Sequence, residues 1–173
     1  RRWIERDLRR NMLWLTAHGL YRDPGDPCLY DLAVRHNLSE LIEYGYDGAL
    51  AGEVDELLRR GGLTMLLMLS PNGWAPYGGR SNLFVHNEAM AAHIAEFEAR
   101  RWHRQGQARI AGAFKRAARQ AALVAAPYFL ESDPLRNLKN RFPPSTKHGR
   151  DTGYGEYAVY SLLAASVFAR AYL

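Results

Sequence analysis

Cysteine is almost absent from this 173-residue chain, and lysine is scarce. The single Cys28 excludes an intrachain disulfide and has no Cys or His partner at metal-ligand spacing. It reads as a small buried filler, and its isolation fits a cytosolic or periplasmic setting. No secretory signal is visible, and the chain opens Arg1-Arg2-Trp3 without methionine, so a stretch upstream is expected. No apolar run approaches the roughly 18 residues that cross a bilayer. The longest candidate, Leu63 to Leu69, is far shorter. A nucleophile elbow and a dinucleotide fingerprint are also missing. Gly78-Gly79-Arg80-Ser81 lacks the lysine and the preceding strand of a phosphate loop. No cofactor is therefore expected.

What is present is an ordinary globular composition, 47% hydrophobic and 12% aromatic, enough for a packed core and too apolar for disorder. The net charge of +5 raises nucleic acid as a partner. However, Lys115, Lys139 and Lys147 are the only lysines among 23 basic residues, and an arginine excess often follows genome composition. The Arg-rich helices one, four and five are also interrupted by Glu5, Asp7, Glu96 and Glu98. That mixture reads as solvated faces with charge pairs three or four apart, which argues against nucleic acid.

Periodicity predicts six helices and no convincing strand. The first covers 2–18, with Ile4, Leu8, Met12 and Leu15 on one stripe and Gly19 as its C-cap. The second runs from about Tyr30 to Tyr44 with Val34, Leu38, Leu41 and Ile42 inward. The third, Leu50 to Leu69, is expected to kink or break at Gly61-Gly62. Ser81 or Asn82 caps a fourth helix that reaches Arg104. A fifth spans Ala108 to Ala126 and stops at Pro127, and a sixth runs from about Gly155. A short turn or ribbon is expected around Trp74. The fold class is all-α, a single domain of antiparallel helical hairpins. In such an array every second helix points the same way, so the starts of helices two, four and six gather at one end. Unpaired N–H groups there favour a polar or anionic ligand.

Three clusters sit at those starts. The first is Tyr30, Asp31, Arg35 and His36. Asp31 and Arg35 share a face, either as a plain helix-start pair with a surface arginine or as a carboxylate held at a cleft. The second runs from Trp74 to Glu88. Trp74 and Tyr77 offer flat faces for sugar rings, Arg80 can grip a carboxylate in bidentate fashion, and Asn82 and His86 share a face. Its plain reading is a structured turn before a helix. His93 lies seven residues beyond His86 and reads as a core histidine. Neither His-x-x-x-His nor Glu-x-x-His is complete, so no metal site is expected. The third cluster includes Asn140, Arg141, His148, Tyr154, Glu156, Tyr157 and Tyr160. Its His and Tyr groups can move protons, or simply close a helix array.

Pro76-Tyr77-Gly78-Gly79-Arg80-Ser81-Asn82, followed by His86-Asn87-Glu88-Ala89, resembles the region before an inner helix in α/α-toroid carbohydrate-active enzymes. These are the heparinase II/III-like and β-glucuronidase-type proteins. Asp26-Pro27 with Tyr30-Asp31, then Gly45-Tyr46-Asp47-Gly48, is similar to their preceding hairpin. Asn140-Arg141-Phe142-Pro143-Pro144 with His148-Gly149, then Tyr157 and Tyr160, resembles the following one. The resemblance implies a cleft at the inner-helix starts and an oligosaccharide or polysaccharide substrate containing uronic acid. Hydrolysis by paired carboxyl groups would draw on Glu88, Asp31 and Glu156, with His86, His148 and Tyr157 nearby. Arg80, Asn82, Trp74, Tyr77, Arg35 and Tyr160 would bind substrate. Elimination would instead use Asn82, Arg80, His86 and Tyr157, and a non-catalytic helical binding module is the third reading. A full ring needs ten to twelve helices, roughly 300 residues at ordinary lengths. This chain is therefore expected to be part of one, completed by further sequence, a second copy or another polypeptide.

Overall fold

The computed structural model describes residues 2–22, 29–76, 84–130 and 158–172, the last with side chains from 162 onward. Six α-helices lie among the described residues: α1 Arg2–Met12, α2 Leu29–Glu43, α3 Ala51–Met68, α4 His86–Arg104, α5 Ala108–Leu130 and α6 Ala158–Tyr172. No strand forms among the described residues. One isolated antiparallel bridge joins Leu15 to Tyr21.

α4 is the central element, burying fifteen of its nineteen residues. Alanines explain how it fits: Ala89, Ala91, Ala92, Ala95 and Ala99 present little bulk to α5, which answers with Ala111, Ala117, Ala118 and Ala121. Phe114, Ile94 and Trp102 fill the remaining space, and Ala164 and Val167 of α6 close the cluster. Small facing residues allow close backbones and dense packing. A second cluster joins Leu8 of α1 to Leu50, Val54, Leu58 and Phe97.

The cross-contacts set directions. His36 meets His93 and Glu43 meets Arg100, so α2 and α4 run the same way. Asp55 meets Arg101 and Gly62 faces Glu98, so α3 runs against α4. Glu96 meets Lys115, and Val85 packs with Ala125 and Tyr128, so α5 also opposes α4. Arg170 brings the C-terminal end of α6 to Glu40, Glu43 and Tyr44 at the end of α2.

Four expected boundaries change. The fourth helix begins at His86, with Val85 rather than Ser81 or Asn82 in the cap position. The first helix stops at Met12 rather than running to residue 18. Beyond it the chain reverses, with Thr16 N–H donating to Leu20 O at 2.8 Å and Arg22 N–H to Trp14 O at 2.7 Å. Gly19, at φ +74°, is the turn residue of that reversal and not a cap of α1. The third helix does not break at Gly61-Gly62. Both glycines serve close approach: a Cβ on Gly61 would strike the Arg35 guanidinium and the Gly19 carbonyl, and one on Gly62 would lie 2.9 Å from the Glu98 side chain. Their helical cost is about 1 kcal/mol each, which the packing on both sides of α3 offsets. The fifth helix passes through Pro127 to Leu130. Proline removes the bond to the carbonyl four residues back, that of Leu123, whose side chain is exposed. Tyr128 and Phe129 just beyond it pack against Val85, Trp74 and Phe168, holding the last turn in place.

Candidate functional site

α4 carries ionisable groups into the interior at three levels. At its first turn Glu88 is wholly buried, and its Oε1 accepts the Ala75 N–H at 2.9 Å. A carboxylate in the first turn complements the partial positive charge of the helix start. His86, in the same turn, stacks on Phe84 with centroids 5.2 Å apart. The loop that carries Ala75 is itself closed by Ser70 N–H donating to Trp74 O at 3.0 Å. Trp74 meets Tyr128 edge to face at 6.2 Å. A tight turn around Trp74 is thus present, and it ties α3, α4 and α5 together beside Glu88.

Tyr77, Arg80 and Asn82 lie outside the described residues. So do Cys28, Ser81, His148, Glu156 and Tyr157, and the side chain of Tyr160.

Asp31 and Arg35 do pair, with Arg35 Nε donating to Oδ2 at 3.0 Å and Nη2 to Oδ1 at 2.9 Å. The arginine is buried, not at the surface. Its remaining donors hold the carbonyls of Gly19 at 2.5 Å and Leu58 at 3.3 Å, and Asp31 also accepts the Tyr21 N–H at 2.6 Å. Every one of these partners belongs to the reversal after α1, to α2 or to α3. Both Asp31 oxygens are thus engaged in clamping three segments, and the pair turns toward α3 rather than toward Glu88. This geometry assigns Asp31 and Arg35 to holding the fold.

At the middle level His93, on α4, is fully buried. It is indeed a core histidine, but a polar network surrounds it. Its Nδ1 lies 3.0 Å from Nδ1 of His36, and its Nε2 lies 3.2 Å from Glu43 Oε2. Glu43 also binds Arg100. His36 Nε2 lies 3.8 Å from Glu40, and Arg170 Nε lies 2.7 Å from the same Glu40 oxygen. Burial, reinforced by the neighbouring His93, lowers the His36 pKa. Burial lowers that of His93 as well, against the pull of Glu43. Both rings are accordingly held neutral at neutral pH.

At the far level Glu98 is wholly buried beside Arg101, whose Nη1 donates to Glu98 Oε1 at 2.6 Å and whose Nη2 lies 2.8 Å from Asp55 Oδ1. Glu98 Oε2 has no hydrogen-bond partner among the described residues. Burial outweighs the arginine and raises the Glu98 pKa to about 7.

Sequence reasoning did not single out Glu40, Glu43, Arg101 or Arg170, and it read Glu98 as part of a solvated face, whereas Glu98 is wholly buried. The apolar stripe of α2 faces α1 and α3. Its polar residues His36 and Ser39 are buried with Leu32, as the contact with α4 requires. The signal that was there is His36, Glu40 and Glu43 recurring at helical spacing on α2. The partner histidine, on another helix, leaves no spacing motif. Comparison with protein-family models, with curated proteins and with solved structures finds no match for this chain.

Proposed function

We propose that this chain is part of an α/α-toroid enzyme that cleaves glycosidic bonds in a uronic-acid-containing glycan, by hydrolysis, with Glu88 as a proton-transferring carboxyl group. The observation that carries this reading is the fully buried Glu88 at the first turn of the central helix, anchored to the Ala75 N–H. A buried carboxyl group in a fixed position can act as a general acid, because burial disfavours its charged form. α2 and α4 share a direction, so their starts share an end, where Trp74 is also placed. In this reading Arg80 binds the uronate carboxylate, and Tyr77 and Asn82 complete the substrate contacts.

Hydrolysis needs a second carboxyl group, about 5–9.5 Å away according to the stereochemical course. With Asp31 engaged by Arg35, that role passes to Glu156. The loss of Asp31 from the pair also favours a second reading, β-elimination, in which His86 in the same turn as Glu88 would act with Tyr157.

Glu88→Gln tests the assignment, because the amide oxygen can still accept the Ala75 N–H and keep the fold. On uronic-acid oligosaccharides the wild-type chain is expected to release reducing ends without ultraviolet absorbance from an unsaturated uronate. The variant is expected to lose about 10²–10⁴-fold in kcat, with its circular dichroism unchanged. Absorbance rising with the reducing ends would replace hydrolysis by elimination. Full activity in Glu88→Gln would refute the role of Glu88, and absence of any product from the wild-type chain would favour an incomplete ring or a binding module.

A further inference from the structure

We propose that His36, Glu40 and His93 form a binding site for one divalent transition-metal ion of the zinc class, with Glu43 as the group that orients His93. This site goes beyond the glycan reading and does not depend on it. One ligand atom from each of the three residues falls within 4.8 Å of the others. Two imidazole nitrogens at 3.0 Å can each reach about 2.0–2.1 Å from a shared ion with small ring movements. Two histidines and one carboxylate are a donor set that suits zinc, with water as the usual fourth ligand of such sites.

The proton positions support this assignment. Glu43, a carboxylate, accepts from His93 Nε2, so that nitrogen carries the proton. His93 Nδ1 therefore presents its lone pair toward His36, and the proton between the two rings belongs to His36. An ion entering there takes the place of that proton, which moves to the other nitrogen of His36. A carboxylate behind a metal-ligating histidine fixes its tautomer and strengthens it as a donor. Glu43 is fixed in turn by Arg100.

Access comes from the α2 side. The Glu40 side chain is 24% exposed, so an ion can reach it without unfolding the core. Arg170 holds Glu40 Oε1, the oxygen 3.8 Å from His36 Nε2, at 2.7 Å, so an ion shares or displaces that contact when Glu40 ligates it. The neighbouring Arg170 opposes positive charge at the site, and Glu40 and Glu43 offset it; neither Arg170 nor Arg100 occupies the histidine nitrogens.

The test is a zinc titration of the full chain by calorimetry, repeated on Glu40→Gln, His36→Gln and Glu43→Gln. One zinc per chain is expected, with a higher Tm on loading. Glu40→Gln and His36→Gln are expected to weaken binding at least about 10-fold, and Glu43→Gln about 10–100-fold through His93. Glu40 is partly exposed, so its variant should keep the helical circular dichroism signal and remain informative if His36→Gln unfolds. Cobalt in place of zinc should give the visible bands of a four-coordinate site in the wild type and lose them in Glu40→Gln. Absence of zinc binding overturns the proposal. So does zinc affinity that is unchanged in Glu40→Gln, which would place the ion at other histidines such as His18 or His103.

Discussion

Arg35→Ala is expected to remove about 3–5 kcal/mol of folding stability, because it strands a buried carboxylate. Asp31 is 5% exposed and would keep only the Tyr21 N–H. The carbonyls of Gly19 and Leu58 would lose their donor at the same time. Domains of this size hold about 5–15 kcal/mol in all, so the change takes a large share. At about 2–4 °C per kcal/mol, Tm should fall by roughly 6–20 °C. The double variant Asp31→Asn/Arg35→Met removes both charges and is expected to be less damaged than Arg35→Ala alone. Thermal unfolding of the three proteins checks this. A loss below about 1 kcal/mol in Arg35→Ala, within the range of exposed ion pairs, would show that the clamp does not hold the segments together.

Glu98 is expected to contribute a fall in stability as pH rises from about 4.5 to about 7, set against the rise that His36 and His93 contribute, and Glu98→Gln is expected to remove the falling part. Glu98 has its pKa raised from 4.5 to about 7 by burial. In that interval the folded chain holds the Glu98 proton and the unfolded chain has released it. The folded state therefore binds more protons, and stability decreases with pH until both states are ionised. A displacement of this size corresponds to about 3 kcal/mol between the two ends of the interval, at 1.36 kcal/mol per pKa unit. Urea midpoints at pH 5, 6, 7 and 8 provide the measurement, and an unchanged slope in Glu98→Gln would assign the effect to another group.

Six helices were legible in the sequence because apolar residues recur every three or four positions, and α2, α3 and α4 begin or end within a few residues of the expected points. Three of the misplaced boundaries share one cause. Gly19, Gly61-Gly62 and Pro127 were weighed by local preference, whereas their roles are set by neighbours distant in sequence. Gly61 serves Arg35, 26 positions before it, and Gly62 serves Glu98, 36 positions after it. At the site, the polar density before α4 drew attention to Glu88, which the structure buries completely. For Asp31 the sequence offered a plain pair with Arg35 or a cleft carboxylate, and it could not show that the arginine is buried or which donors surround the carboxylate. The His36–His93 pair was invisible for a related reason: its members sit on different helices, and only the shared direction of α2 and α4 brings them to the same level.

The burial of α4 on nearly every side has a consequence for how the molecule exchanges its amide hydrogens with deuterated solvent. Helices with an outer face can open locally, as α1 can, having Leu8 as its one buried residue. The amides from Ala89 to Ala99 have no such route, because lifting them into water means parting α4 from α2, α3, α5 and α6 together. They should exchange last and at the rate of global opening, so that their protection reports the stability of the entire molecule from within its own interior.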